Sequence, residues 1–122
     1  MTSLFERLGG DDAIHLAVDK FYDHILADER IKHFFVGIDM VKQRGHQRRF
    51  LKYAFGGSPN YPGRSMREAH RRLVEEMNLS DQHFDAVAEN LTLTLKELNV
   101  ASDLIDEVLA IVESTRDDVL NR

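Results

Sequence analysis

Hydrophobic side chains recur every three to four residues along almost the whole chain, a spacing typical of amphipathic α-helices. Five segments follow this pattern over ten residues or more: 13–26, 40–55, 65–77, 80–98 and 102–112. A shorter segment, DERIKHFF, adds three apolar side chains between the first two. No segment alternates apolar and polar residues as a half-buried strand does. The pattern therefore predicts an all-α protein.

Residues that start and stop helices support these boundaries. A capping box, Ser65-x-x-Glu68, opens the segment 65–77, and the pair Gly56-Gly57 stops the segment 40–55. The loop 56–64 contains both prolines and is longer than the turns of a simple helical bundle. We therefore expect something other than close side-chain packing between the helices that it joins. The predicted N-cap residues are Asp39, Ser65, Ser80 and Ser102.

Length and composition narrow the class of protein. A chain of 122 residues has the size of one compact domain, so we expect a single domain spanning residues 1–122. The lack of cysteine excludes disulfides, thiolate metal sites and cysteine nucleophiles. Neither a membrane-spanning run nor the pattern of a signal peptide is present, and we therefore expect a cytoplasmic protein without membrane contact.

Charge is distributed unevenly within a net value of −5. Residues 42–72 contain nine Lys and Arg against one acid, Glu68, while the rest of the chain contains 7 bases against 20 acids. A basic centre in an acidic protein suggests either a bound anionic cofactor or partner, or simply a solvated helix surface. Charge alone does not separate these two interpretations.

A histidine stands in the middle of each of the two helices that flank the long loop. His70 interrupts an apolar stripe, where its ring nitrogens need either hydrogen-bond partners or a metal. Taken alone, a hydrogen-bonded core histidine is the more common case. His46 instead shares its helix face with polar and aromatic side chains. The stripe around His70 consists of Met66, Ala69, Leu73, Val74 and Met77, and the face of His46 contains Gln43, Gln47, Phe50 and Tyr53.

Aromatic side chains provide flat apolar surface around these histidines, and Tyr22 can bring a phenol to the same place. This combination is typical of a ligand pocket, although an aromatic-rich core fits each phenylalanine equally well. Zinc fits poorly, because no Asp or Glu lies beside either histidine on the inward faces. Haem fits better, since its iron takes axial imidazoles, and Lys42 and Arg64 would meet its propionates. The aromatic residues are Phe21, Phe34, Phe35, Phe50 and Phe84.

With these residues the sequence resembles a known family, the group 1 truncated haemoglobins, and within it the cyanobacterial branch. The matching stretches occur in the family's order from end to end: LFERLGG, VDKFYD, IKHFF, DMVKQRGHQRRF, YAFGG, YPGRSMREAHRRLV, HFDAVAENL and DVLN. The resemblance implies a truncated globin fold, a two-over-two α-helical sandwich around a haem. It also implies that Gly56-Gly57 and Gly63 shape the turns before the proximal helix.

The resemblance also implies roles for individual residues. His70 matches the proximal iron ligand, and His46 matches a distal histidine that can become the sixth ligand in this branch. Tyr22, Gln43 and Gln47 match positions that hydrogen-bond a diatomic ligand. The other haem-binding positions implied are Phe35, Lys42, Phe50, Tyr53, Arg64, Met66, Leu73, Phe84 and Val87. We interpret His15, His24, His33 and His83 as surface or packing residues.

One departure from the branch concerns how the haem is held. Many members carry a histidine shortly before DVLN that can bond covalently to a haem vinyl group, and residues 114–121 here contain none. We therefore predict haem b held non-covalently. Gly45, beside His46, either eases the movement of that histidine or permits close packing; both explanations stay open at this stage.

Three functional classes remain, and the first two share a haem site. The first is reversible binding of O2, CO and NO, as in oxygen storage, transport or sensing with a five-coordinate iron. The second, which we favour, adds redox chemistry such as NO dioxygenation, with a bis-histidyl resting state and a reductase or other electron-transfer partner. The third, a structural or nucleic-acid-binding domain, leaves His46 and His70 unexplained. We therefore expect a monomer that binds no nucleic acid.

Overall fold

The computed structural model describes residues 2–57 and 65–122, and every regular element in these ranges is helical. The elements in chain order are α1 (Leu4–Leu8), α2 (Gly10–Ala27), a 3₁₀ helix (Lys32–Phe35), α3 (Met40–Ala54), α4 (Met66–Met77), α5 (Asp81–Glu97), α6 (Ser102–Glu113) and α7 (Arg116–Val119). The five long helices are those that the hydrophobic period predicts. The short helices α1 and α7 were not predicted, because four or five residues are too few to show a period.

Local capping interactions set the start of both helices that carry the candidate histidines. The Asp39 carboxylate accepts hydrogen bonds from two backbone N–H groups at the start of α3, and the Ser65 hydroxyl accepts one from the Glu68 N–H at the start of α4. The prediction for α6 was wrong by one residue. Ala101 is its N-cap, and Ser102 is already the first helical residue.

The long helices form two pairs. α2 packs on α3, and α5 packs on α6; contacts between α2 and α5 join the two pairs. This is the two-over-two arrangement that the resemblance implies. The main core lies between the pairs and includes Val18, Ile25, Ile31 and Val108, which are at most 1% exposed.

The end of α3 is tied to the N-terminal helix. The Phe5 N–H donates to the Phe55 carbonyl at 2.9 Å, and a Cβ on Gly57 would lie 2.6 Å from the Phe5 ring. Gly56 has a φ of +87°, in the left-handed region that favours glycine. The chain therefore needs this glycine pair at the end of α3. Gly63, which the resemblance also assigns to a turn, and Arg64 lie outside the described residues.

Within residues 2–57 and 65–122, no helix combines the length and the apolar character that crossing a bilayer requires.

Candidate functional site

The backbone of α4 fixes the orientation of the His70 ring. Its Nδ1 lies 2.8 Å from the carbonyl oxygen of Met66, one turn earlier in the helix. A carbonyl oxygen only accepts hydrogen bonds, so Nδ1 carries the proton and donates. In the neutral ring Nε2 then carries the lone pair, and this is the tautomer that binds a metal through Nε2.

The apolar stripe around His70 is only half-buried: Leu73 and Met77 pack against the edge of the core, and Met66 lines a cavity. None of the twelve residues of α4 is fully buried, and the helix packs mainly on the short α7. Ala69, predicted to face inward, is exposed. A strongly amphipathic helix with a half-buried apolar face suits the wall of a ligand site. The half-buried members of the stripe are Met66, His70, Leu73, Val74 and Met77.

A cavity of about 540 Å³ lies where the end of α3, the start of α4 and the C-terminal helices meet. Its volume falls within the usual range for small-molecule and cofactor sites. Three predicted haem contacts, Phe50, Tyr53 and Met66, line it together. The remaining lining residues are Ala54, Ser65, Ile111, Ser114, Thr115 and Asp118. The lining residues of the C-terminal segment, 111–118, were not predicted, because no local sequence signal links them to α3 and α4.

Tyr22 and Gln43, both predicted to hydrogen-bond a diatomic ligand, contact each other between α2 and α3. The side-chain amide of Gln43 donates to the Tyr22 hydroxyl oxygen at 3.0 Å, and Tyr22 is only 2% exposed. Burial raises the pKa of Tyr22 to about 12. The phenol therefore keeps its proton at neutral pH, and because its oxygen accepts from Gln43, that proton is available for a second partner.

The aromatic walls divide between core and site. Phe21 and Phe34 are buried members of the main core, as the simpler interpretation of an aromatic-rich interior predicts. Phe35 is half-buried and meets Tyr22 edge to face, with ring centroids 5.7 Å apart. Phe21 meets Tyr22 edge to face as well, with ring centroids 5.1 Å apart, so both Phe21 and Phe35 adjoin this predicted ligand-binding side chain. Leu73 and Val87 pack against the same core.

Phe84 occupies a second, smaller cluster. It is buried with Val119 and Leu120, and Met66 packs against this cluster from α4. The Arg116 guanidinium covers its ring at 4.4 Å from the centroid. Phe84 therefore supports the C-terminal wall beside α4, a role that depends on α7 and could not be seen from the helix period.

His46 is exposed and is bound to its own helix. Its Nδ1 lies 3.0 Å from a guanidinium nitrogen of Arg49, one turn further along α3. Gln47, the third predicted distal residue, is half-buried. Sequence analysis found His46 and Gln47 from their shared helix face but missed Arg49, because a surface arginine gives no signal of its contact.

Acidic neighbours neutralise much of the basic centre. Arg44 binds Asp19 and Asp23 of α2, and the other ion pairs are Lys52 with Asp11, Arg67 with Asp118 and Arg72 with Glu76. Among the described cations of residues 42–72, Lys42, Arg48, Arg49 and Arg71 have no ion-pair partner. Arg64, the second predicted propionate contact, lies outside the described residues. Acidic partners on other helices therefore engage Arg44, Lys52 and Arg67, and this part of the basic centre fits the solvated-surface interpretation.

The remaining histidines have structural partners. His83 Nδ1 accepts from the Ser80 N–H at 3.0 Å and so closes the start of α5. His24 lies 3.0 Å from Glu97, and His15 lies 3.8 Å from Asp19. The His33 ring packs on Phe34, with ring centroids 4.2 Å apart, so these contacts leave His70 and His46 as the candidates for chemistry.

Known proteins match this chain along almost its whole length. Residues 3–121 match the family model for bacterial-like globins. The group 1 truncated hemoglobin GlbN of Synechocystis is 57% identical, with all of both chains covered. The 2/2 hemoglobin of Synechococcus sp. PCC 7002 is 61% identical, with a TM-score of 0.97 over 99% of this chain and 100% of that one. The truncated hemoglobin of Tetrahymena pyriformis is 46% identical, with a TM-score of 0.89 over 98% of each.

The prediction of a non-covalently held haem is contradicted by one of these relatives. The Synechococcus 2/2 hemoglobin was solved with covalently attached heme. Our prediction rested only on the lack of a histidine in residues 114–121, of which Ser114 and Thr115 line the cavity. The lack of a histidine in a single stretch therefore does not decide how a haem is attached. The prediction of a non-covalent haem was wrong, and the comparison supports haem as the cofactor.

Proposed function

The chain belongs to the group 1 truncated haemoglobins, and from this premise we propose that it binds haem between α3 and α4 and reversibly binds O2, CO and NO there. The hydrogen bond from His70 Nδ1 to the Met66 carbonyl carries the proposal. It leaves the lone pair of the neutral ring on Nε2, so the donor chemistry of His70 fits an axial ligand of haem iron. When bound, the haem would supply an iron that takes a diatomic ligand.

Side chains of both helices would hold the cofactor. His70 would bind the iron from α4, and Phe50, Tyr53 and Met66 would contact the porphyrin from the walls of the cavity. Phe35, Leu73, Phe84 and Val87 would complete the apolar surroundings. Lys42 would bind a haem propionate. We propose the same role for Arg64 on the basis of its position in the sequence. Apolar walls exclude water and so protect the ligand site.

Polar groups from α2 and α3 would act on the diatomic ligand. Tyr22 carries a proton that its bond with Gln43 does not use, so it can donate to a bound ligand. Gln47 and His46 would complete the distal side. His46 would occupy the sixth position in the ligand-free protein, so that an incoming ligand must first displace it. This resting state supports a role in chemistry of reactive nitrogen and oxygen species, such as NO dioxygenation.

A specific observation favours a second candidate function, oxygen storage, transport or sensing with a five-coordinate iron. The Arg49 guanidinium can only donate, so its contact with His46 Nδ1 places the proton of the neutral ring on Nε2. In that state His46 donates a hydrogen bond to the ligand instead of binding iron. The two candidate functions therefore differ in the state of one imidazole.

Absorption spectra of the ferric, ferrous and CO-bound protein test the assignment. We expect His70→Ala to lose stable haem binding, because it removes the proximal ligand. We expect His46→Leu to keep haem, to lose low-spin six-coordinate bands and to capture CO faster. His15→Leu, which removes an exposed imidazole from α2, is the matched control and should leave the spectra unchanged.

The outcomes separate the proposals. Normal haem content and ligation in His70→Ala would contradict the proximal assignment. High-spin spectra in the unmodified protein, unchanged in His46→Leu, would contradict the bis-histidyl state and support the five-coordinate alternative.

A further inference from the structure

The two candidate histidines are held through the same ring nitrogen but by opposite kinds of partner. His70 Nδ1 lies 2.8 Å from a carbonyl oxygen, which can only accept. His46 Nδ1 lies 3.0 Å from the Arg49 guanidinium, which can only donate. In the neutral rings, Nε2 therefore carries a lone pair in His70 and a proton in His46. The structure thus gives the two imidazoles opposite tautomers.

The tautomer decides what each Nε2 can do. Coordination of a metal needs the lone pair, whereas donation to the oxygen of a bound ligand needs the proton. While Arg49 holds Nδ1, His46 can donate through Nε2 but cannot coordinate through it. Coordination requires the contact with Arg49 to break and the proton to move to Nδ1.

We propose that Arg49 is a positioning residue that holds His46 as a hydrogen-bond donor and thereby opposes its coordination to iron. The inference rests on the proposed function and adds the residue that sets the balance between its two candidate forms. In this proposal Arg49 acts through His46.

The surroundings of Arg49 favour this contact. Four other cations of residues 42–72 are engaged by carboxylates, but Arg49 has no carboxylate partner among the described residues. Its position three residues after His46 places both side chains on neighbouring turns of one helix face. No acid therefore competes with His46 for this guanidinium within the part of the chain that the structure describes.

Nitrogen-15 NMR of the ferrous CO-bound protein tests the tautomer directly. CO occupies the iron there, so His46 is off the metal, and the protein is diamagnetic. We expect the long-range couplings of His46 to show a protonated Nε2 and an unprotonated Nδ1. A protonated Nδ1 on His46 in the unmodified protein would overturn the inference without affecting the assignment of His70. This measurement needs no variant.

A variant pair tests the consequence. Arg49→Met keeps the apolar stem of the side chain but removes the hydrogen-bond donor. Arg48→Met is the matched control, because the hydrogen bond to His46 comes from Arg49 and not from Arg48. In Arg49→Met we expect the tautomer preference to weaken and the six-coordinate ferrous fraction to rise. CO binding should slow by roughly three- to tenfold, the range for loss of an exposed charge-assisted hydrogen bond. Arg49→Lys, which restores a cationic donor, should recover the tautomer at least in part.

The two levels of the argument fail in different ways. Equal tautomer signals and equal CO binding rates in Arg49→Met and Arg48→Met would overturn the role of Arg49, while haem binding through His70 stands. A protein that binds no haem would instead contradict the proposed function.

Discussion

Replacement of Tyr22 by phenylalanine removes one oxygen atom from the most buried polar contact of the candidate site. The tyrosine is 2% exposed, and its hydroxyl oxygen lies 3.0 Å from the Gln43 amide nitrogen. Because burial raises the pKa of Tyr22 to about 12, the phenol is a proton donor throughout the pH range in which the protein would be studied. The ring and its edge-to-face contact with Phe35 remain in the variant.

Two effects of different size should follow. Loss of the bond with Gln43 should lower the free energy of unfolding by about 1 kcal/mol, the net value of a neutral hydrogen bond. Loss of donation to bound O2 should cost about 1.5–3 kcal/mol if the ligand oxygen carries negative charge. Since about 1.4 kcal/mol corresponds to a factor of ten, O2 dissociation should accelerate by roughly ten- to a hundredfold.

Stopped-flow displacement of O2 measures this dissociation rate. CO is the internal control, because it accepts hydrogen bonds weakly and its dissociation rate should change much less. Urea unfolding of the same variant measures the separate loss of stability. An O2 dissociation rate that rises no more than that of CO would refute the assignment of Tyr22 as a donor to the ligand, whatever happens to stability.

Two further predictions concern α3 and the end of α2. Gly45→Ala should raise the free energy of unfolding in urea by about 0.5–1 kcal/mol, because glycine is unfavourable within a helix. There is room for the added Cβ, which would meet only the side chains of Arg49 and Arg48, at 3.5 Å and 3.8 Å. A destabilised variant would instead support a close-packing role for the glycine. Asp28→Asn should lower the urea midpoint at pH 7 and do so progressively less below about pH 4, where unfolded aspartate gains its proton. Hydrogen bonds from Arg30, then Asn90, hold the pKa of Asp28 well below its usual range, so its stabilisation is lost as the pH falls; a pH-independent effect would contradict this linkage.

Local signals explain why the helices were predictable. Asp39 and Ser65 cap α3 and α4 because their oxygens reach backbone N–H groups two or three residues away, and this short range is visible in sequence. The same reasoning misplaced the start of α6 by one residue, since Ser102 favours the cap position but Ala101 occupies it. The face of His70 was also predictable, because the helix period fixes it.

Contacts between distant residues were beyond such signals. The sequence presented Arg44 and its neighbours as a basic centre, but Asp19 and Asp23 of α2 neutralise Arg44 once α2 and α3 pack together. The helix faces placed Tyr22 and Gln43 at one pocket, but no sequence pattern gives the hydrogen bond between them, since they are 21 positions apart on different helices. A sequence pattern gives the face on which a side chain lies, but not the partner that it meets there.

The start of α4 and the chemistry of His70 form one structural unit. The Ser65 hydroxyl accepts the Glu68 N–H and so fixes the first turn, whose first carbonyl belongs to Met66. In an α-helix that carbonyl accepts the backbone N–H of His70, and its second lone pair accepts the Nδ1 proton. The same oxygen therefore sets both the position and the tautomer of the imidazole. His46 instead takes its tautomer from the side chain of Arg49, so helix geometry fixes the tautomer of His70, whereas a contact between two side chains sets that of His46.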